Sequence, residues 1–410
     1  MEQVKYKRHL SKLLRELLKQ FSCVMISGPR QIGKTSMVID TIKGLGKWND
    51  VDLSKEENKE NALKNPILFF EENKTPLFID EIQEAPKLMS YIKNEIDKTK
   101  NNGIFILTGS QMFKFNKDIK ERLSTRAALL DMCPLSNSEI QGRDNFPFII
   151  DSKHFIEIKK YASISVIQNL ENILKGSMPD IMNGKIKNTS VFYSSYINNT
   201  IISDITEHIA TIRDDTKFNN FLKSLAIRSG QIVNLYNTAQ DAGIDNRTAT
   251  IWLDALKSLG IIFFVHPFSN KKSKTLLKKP KLYFYDTGLL CHLLKITDAK
   301  GLYSNSSYGN VYETWCVSEI TKTYINEGLM PPISYLQNSK GEEKLDVIIE
   351  QSNGVYLIEI KTSTNINSKH IKGFELLDEN VKVLAKAVIC PITQISSYSK
   401  DILLIPNTLI

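Results

Sequence analysis

Leucines open the chain at helical spacing: Leu10, Leu13, Leu14, Leu17 and Leu18 share one face within residues 7–20, which predicts an amphipathic helix packed on a core. A solid apolar run, Cys23-Val24-Met25-Ile26, follows and reads as a short buried strand, after which Met37, Val38 and Ile39 resume a helical pattern. Further runs at 48–53, 77–79, 103–107 and 127–132 read as strands of a parallel α/β sheet. Residues 151–215 are polar and mixed, with a turn at Gly176-Ser177-Met178-Pro179 and a helix from Val191 to Ile205. From residue 218 the pattern turns helical: Phe221 to Ala226, Leu235 to Ala242, a turn at Gly243-Ile244-Asp245-Asn246, then Arg247 to Leu259. The last part alternates again, with a helix over 309–325 and strands at 345–349, 356–361, 382–389 and 402–405.

The first strand runs into Gly28-Pro29-Arg30-Gln31-Ile32-Gly33-Lys34-Thr35-Ser36, a complete G-x-x-x-x-G-K-T. Four residues between two glycines let the backbone N–H groups turn inward on a phosphate chain, which a side chain on either glycine would obstruct. Lys34 is placed for the β- and γ-phosphates and Thr35 for magnesium, and the helix that follows adds its dipole to the anion site. ATP and Mg2+ are the expected cofactors.

The run Leu77-Phe78-Ile79 ends in Asp80-Glu81, two carboxylates at the carboxyl edge of a parallel sheet, where such sheets bind ligands. Asp80 is expected to hold magnesium and Glu81 to orient and polarise the attacking water. Thr108 or Ser110, after the next strand, is a candidate contact to the γ-phosphate or that water. Arg126 or Arg122 is a candidate to neutralise charge on the transferring phosphoryl group, in its own chain or from a neighbouring subunit.

Helix, glycine turn and helix between 218 and 259 form a helix-turn-helix pattern, and strand 261–265 with the lysine-rich stretch 270–281 supplies a wing. Arg247, Thr248 and Thr250 stand where groove contacts are made; Lys271, Lys272, Lys274, Lys278, Lys279 and Lys281 are candidate phosphate contacts or a solvated surface. Beyond it, Asp346 lies among apolar neighbours, and thirteen residues later a second strand delivers Glu359 and Lys361. That spacing is the one nucleases of the PD-(D/E)xK type use. On this reading Asp346 and Glu359 hold magnesium, Lys361 positions or activates water, and Glu313 contributes from the helix at 309–325.

Composition changes this picture little. The 410 residues are 42% hydrophobic and 24% charged, ordinary for a globular chain with room for two or three cores. A net charge of +8, from 53 Lys and Arg against 45 Asp and Glu, favours an anionic partner without identifying one. Five scattered cysteines make no C-x-x-C pair, so neither a zinc site nor a disulfide frame is indicated. The opening residues are charged throughout and no run approaches a membrane span, so the expectation is a cytoplasmic protein without a membrane partner.

Residues 28–35, Phe78-Ile79-Asp80-Glu81-Ile82-Gln83, Leu107-Thr108-Gly109-Ser110, Arg126 and Pro134-Leu135-Ser136 together resemble the prokaryotic AAA-type ATPases that carry a C-terminal DUF4143 domain. The resemblance covers nearly the whole chain and is strongest over 20–140 and 280–365. Members usually carry Gly before the arginine matching Arg126, where this chain has Thr125, and an arginine before the aspartate matching Asp204, where it has Ser203. The resemblance implies that the C-terminal half takes a restriction-endonuclease-like fold. The expected architecture is therefore an α/β P-loop NTPase core over 1–140, a helical connection over 141–217, a winged helix-turn-helix over 218–281 and a nuclease-like α/β domain over 282–410. The expected function couples ATP binding and hydrolysis to a DNA-binding half; the alternative is a switch whose nuclease-like fold cuts nothing and holds DNA or a protein partner. An oligomer is compatible with either.

Overall fold

The computed structural model describes residues 6–110, 123, 126–151, 155, 158–161, 164–208, 212, 214–269, 279–338, 342–377 and 380–410. Two compact units emerge from the chain: Met1–Leu135 with Ser258–Gly260 and Ile325–Leu329, and Ser136–Lys257 with Ile261–Tyr324 and Met330–Ile410.

The first unit is built on five strands, β1 (Cys23–Ser27), β2 (Asn49–Asp52), β3 (Leu77–Asp80), β4 (Phe105–Gly109) and β5 (Ala127–Asp131), in the order β2-β3-β4-β1-β5. Every pairing is parallel. β1 therefore lies inside the sheet, and its residues Cys23, Val24, Met25 and Ile26 are fully buried, which is why it reads as an unbroken apolar run. On one face Cys23, Met25, Leu77, Ile79, Phe105 and Leu107 pack with Leu88, Ile92 and Ile96 of the helix Leu88–Thr99. The N-terminal leucine stripe forms the helix Leu10–Leu17, with Leu10 and Leu14 fully buried.

The second unit carries an eight-stranded mixed sheet. Its strands are β6 (Ile262–Pro267), β7 (Lys281–Phe284), β8 (Ile333–Gln337), β9 (Glu343–Gln351), β10 (Gly354–Ile360), β11 (Val383–Cys390), β12 (Ser396–Ser399) and β13 (Ile402–Pro406), in the order β12-β13-β11-β10-β9-β8-β6-β7. β9 and β10 pair antiparallel and β10 and β11 parallel, so β10 sits between two neighbours with its apolar residues Leu357 and Ile358 fully buried. β8 and β12 were not expected from sequence; β12 is four exposed residues, Ser-Ser-Tyr-Ser, with no apolar signal.

The helices of the helix-turn-helix pattern are Asp215–Ile227, Leu235–Ala242 and Asn246–Ser258, and Gly243 at φ 64° closes the second in the left-handed conformation that glycine adopts without strain. Phe218 and Phe221 meet Trp252 edge-on at 5.1 and 5.6 Å, locking the first helix to the third. The strand expected to begin the wing, 261–265, is β6; it pairs antiparallel with β7 and continues the eight-stranded sheet through a parallel pairing with β8. Lys271, Lys272, Lys274 and Lys278 lie outside the described residues.

The helix Tyr308–Ile325 is buried on nearly every side, including Glu319 and Lys322, one turn apart and ion-paired at 2.8 Å. Glu319 also accepts from the Asn137 backbone N–H at 2.6 Å, and Lys322 donates to Ser177 Oγ at 3.2 Å. Truncating one member removes the opposite charge that offsets the other in the core, a change worth about 3–5 kcal/mol. Glu319→Ala should therefore move the urea midpoint of this unit's unfolding to clearly lower concentration, read by circular dichroism.

Candidate functional site

Where β1 ends, the backbone turns at Gly28 with φ 151°, and a Cβ there would stand 2.2 Å from the Met132 carbonyl oxygen. Only glycine admits that approach. Gln31 at φ 66° and Gly33 at φ 87° complete the loop, and Gly33 caps the helix Lys34–Ile42. Pro29, Arg30, Ile32 and Ser36 fill the remaining positions of the loop and first helical turn, with Ile32 buried beneath. Lys34 is 5% exposed and its ammonium donates to the Gly28 and Pro29 carbonyls at 2.9 and 2.8 Å, closing the loop on itself.

Beside it, Thr35 Oγ1 donates to Asp80 Oδ2 at 2.6 Å, and Thr108 Oγ1 donates to the other carboxylate oxygen. Burial pushes the Asp80 carboxyl above its ordinary range, against the pull of the Thr108 and Thr35 hydrogen bonds. The parallel register brings these groups together: β3 ends at Asp80, and β4 carries Thr108 and ends just before Ser110. Glu81 follows in the left-handed region at φ 54°, uncommon for a residue with a side chain. Its carboxylate accepts from Gln83 Nε2, which also reaches Ser110 Oγ at 3.3 Å.

Arg126 does not join this group in its own chain. It precedes β5, whose register with β1 sets Asp131 beside Ser27, so five residues at ~3.3 Å each put it roughly 16 Å from the phosphate-loop edge. Its guanidinium is ion-paired with Asp97 on the helix Leu88–Thr99. Arg122 lies outside the described residues.

In the second unit the structure brings the C-terminal candidates together. Asp346 on β9 and Glu359 on β10 are 8% and 5% exposed, and Lys361 donates to both, at 3.2 Å to Asp346 Oδ2 and 2.5 Å to Glu359 Oε2. Asp346 Oδ2 accepts in addition from the Ile360 backbone N–H at 2.6 Å. Burial works to raise the Asp346 carboxyl, but Lys361, Lys281 and the Ile360 N–H outweigh it and the net shift is downward. Glu359 goes the other way: burial first, then the Asp346 charge, push it to about 9. Gly373 approaches so closely that a Cβ there would lie 2.5 Å from Glu359 Oε1.

Glu313, on the helix Tyr308–Ile325, is held from the far edge of the sheet. Lys281 Nζ donates to its Oε1 at 2.5 Å and Tyr283 OH donates to the same oxygen at 2.8 Å. Burial raises the Glu313 carboxyl, with Lys281 pulling against it. Lys281 is fully buried, its ammonium 5.5 Å from the Tyr283 ring centre and 5.8 Å from that of Tyr335. This corrects the expectation that Lys281 is a phosphate contact of an exposed wing; buried against Glu313, it belongs to the acidic cluster. The signal was in the sequence, where Lys281 opens the apolar run Leu282-Tyr283-Phe284. Among the described residues no group of three or more His, Cys, Asp and Glu is arranged to hold a metal ion.

The shifted Glu359 carboxyl carries a pH signature. Its ordinary value is 4.5 and its folded value about 9, so between them the folded chain holds a proton that the unfolded chain releases. The associated stability is complete below the lower value and is lost as pH rises through the upper one. Between about pH 6 and pH 9 the melting temperature of the second unit should fall in the unmodified protein, and the fall should be shallower in Glu359→Gln, measured by calorimetry.

Three segments match family models: residues 20–141 an AAA domain, residues 168–300 a domain of unknown function (DUF8612) and residues 308–410 a second domain of unknown function (DUF4143). The DUF8612 match spans most of the stretch read from sequence as a helical connection and a winged helix. Uncharacterized proteins of Mycobacterium bovis and Mycobacterium tuberculosis are each 24% identical over 371 residues, 90% of this chain and 76% of theirs. Similar solved structures include a Walker-type ATPase of Pyrococcus abyssi, 14% identical, covering 70% of this chain and 95% of that one with a TM-score of 0.41. A RuvB variant of Thermotoga maritima is 17% identical over 65% of this chain and 93% of its own, with a TM-score of 0.30. A DNA replication initiation factor is 13% identical over 70% and 92%, also at 0.30. No helix among the described residues is long and apolar enough to cross a membrane. The phosphate loop, the parallel sheet and the AAA match coincide over one stretch of chain, and DUF4143 follows it at the C-terminal end.

Proposed function

We propose that this chain binds and hydrolyses ATP at its phosphate loop and couples the nucleotide state to a DNA-binding, nuclease-like C-terminal half. The observation that carries the first part is the 2.6 Å hydrogen bond from Thr35 to Asp80 beside the buried Lys34. A hydroxyl and a carboxylate oxygen converging at a helix N-terminus are the hard oxygen donors magnesium takes, so the residues fit that ion. Magnesium there would neutralise charge on the β- and γ-phosphates. Backbone N–H groups of residues 28–36 and the Lys34 ammonium cradle the phosphates, and Glu81 orients the attacking water.

Arg126 acts on this reading from a second copy of the chain, since its place before β5 keeps it from its own loop. The domains follow the sequence reading: the ATPase core over 1–140, the helical connection over 141–217, the winged helix over 218–281 and the nuclease-like domain over 282–410. Arg247 and Thr250 are exposed at the start of the helix Asn246–Ser258, a face open to DNA. Asp346 and Glu359 would hold the divalent cation of a nuclease, with Lys361 positioning water. A specific observation favours the second reading of this half, as a grip that cuts nothing: Lys361 already bonds both carboxylates and Lys281 bonds Glu313.

Losing the Lys34 ammonium removes charge-assisted hydrogen bonds worth about 1.5–3 kcal/mol, so Lys34→Ala should weaken ATP binding about 10–100-fold by fluorescent-nucleotide titration. ATP turnover per chain should rise with protein concentration, and Arg126→Ala should flatten that rise; a total rate strictly proportional to concentration, with turnover per chain constant, would exclude an arginine supplied by a neighbour. Plasmid incubated with magnesium or manganese separates the two readings of the C-terminal half. Scission abolished by Asp346→Ala and by Lys361→Ala marks a nuclease, whereas DNA-stimulated ATP turnover without scission marks a grip.

A further inference from the structure

We propose that the second unit holds a binding site for a small phosphate monoester, in a cavity of about 530 Å³ that shares no residue with the phosphate loop or with the acidic cluster. The site goes beyond the ATPase reading and does not depend on it. Two cations line the cavity, Lys187 and Lys295, and among the described residues no Asp or Glu does. Both lysines are exposed and neither meets an acidic partner among the described residues, so each keeps its charge for a ligand.

Thr189 and Ser190 line the same cavity as the first two residues of the helix Thr189–Tyr196. The Asn188 side chain takes up the Val191 N–H at 3.1 Å, which leaves the N–H groups of Thr189 and Ser190 with no acceptor inside the helix. Lys295 comes from another element. The helix Thr287–Leu293 closes with Lys295 N–H on the His292 carbonyl at 3.0 Å and Ile296 N–H on that of Cys291 at 2.9 Å, which sets Lys295 at φ 58°. Its ammonium is therefore carried by a defined turn, already placed at the cavity before a ligand arrives. Two ammonium groups and two backbone N–H groups, with no carboxylate opposing them, match a dianion with several terminal oxygens, which a phosphate monoester is. Leu174 and Ile296 add apolar wall, and the volume is far more than a phosphate group fills, so the ligand carries a carbon body.

The test uses the full chain with isotope-labelled histidine, and phenyl phosphate as the probe. Half-buried His292 lines the cavity, its ring 5.9 Å from that of Tyr193 and its Nε2 3.4 Å from Ser194 Oγ, and so serves as a local reporter. The chain has six histidines, and the signal missing from His292→Gln identifies the one to follow by NMR. The expected result is a saturable shift of that signal with a Kd below about 1 mM, at least about threefold weaker binding of inorganic phosphate, and no shift with phenol. Lys187→Glu combined with Lys295→Glu should weaken phenyl phosphate at least about tenfold. Lys187→Gln with Lys295→Gln decides the same point where the charge reversal fails to fold. Lys34→Ala should leave the titration unchanged. A signal that does not move, inorganic phosphate bound as tightly as phenyl phosphate, or a titration indifferent to both lysine pairs overturns the site. A shift lost in Lys34→Ala reports binding at the phosphate loop instead and overturns it equally.

Discussion

A carboxylate taken out of water costs several kcal/mol unless protein groups replace its hydration, and both units of this chain are arranged around carboxylates in that position. Asp80, Asp346 and Glu359 are each less than a tenth exposed, and burial is the first influence on the ionisation of all three. Each had to be given partners by the fold, and the kind of partner differs between the two units.

Around Asp80 the direct partners are neutral hydroxyls, Thr35 and Thr108. Hydroxyls supply hydrogen bonds without supplying a positive charge, so the carboxylate keeps an electrostatic demand that a divalent cation would satisfy. Around Asp346, Glu359 and Glu313 the partners are ammonium groups. There the charges are balanced from within, and a cation must compete with Lys361 for the same oxygens. The upward shift of Glu359 comes first from burial and then from the Asp346 charge, since the two carboxylates share one lysine.

How much of this was legible follows from how local each feature is. The phosphate loop is contiguous and its glycines are dictated by geometry, so residues 28–36 and the acidic end of β3 were readable as they stand. Asp346, Glu359 and Lys361 were readable because two adjacent antiparallel strands carry the two carboxylates, Lys361 directly follows the second strand, and alternation places Glu359 and Lys361 on one face. Lys281 was missed as a cluster member because its partner Glu313 lies thirty-two residues away on another element, and nothing local marks a buried lysine except the apolar residues beside it. Gln83 was passed over for the same reason: its link to Ser110 joins residues twenty-seven apart. β12 was invisible because an exposed edge of serines needs no apolar alternation to be held by β13.

Strand direction also decides where a residue can act, and it separates Arg126 from the groups it was expected to join. In a parallel sheet all carboxyl ends lie on one edge, so the loop after β1, Asp80 at the end of β3 and Ser110 after β4 meet there without any special design. Arg126 comes before its strand. The same parallel register that gathers the others carries it to the opposite edge, where Asp97 neutralises it. An arginine side chain spans far less than the length of β5, so no rotamer change returns it to its own loop. A part for Arg126 in phosphoryl transfer therefore requires a second copy of the chain, and the ion pair with Asp97 would have to open as that copy docks.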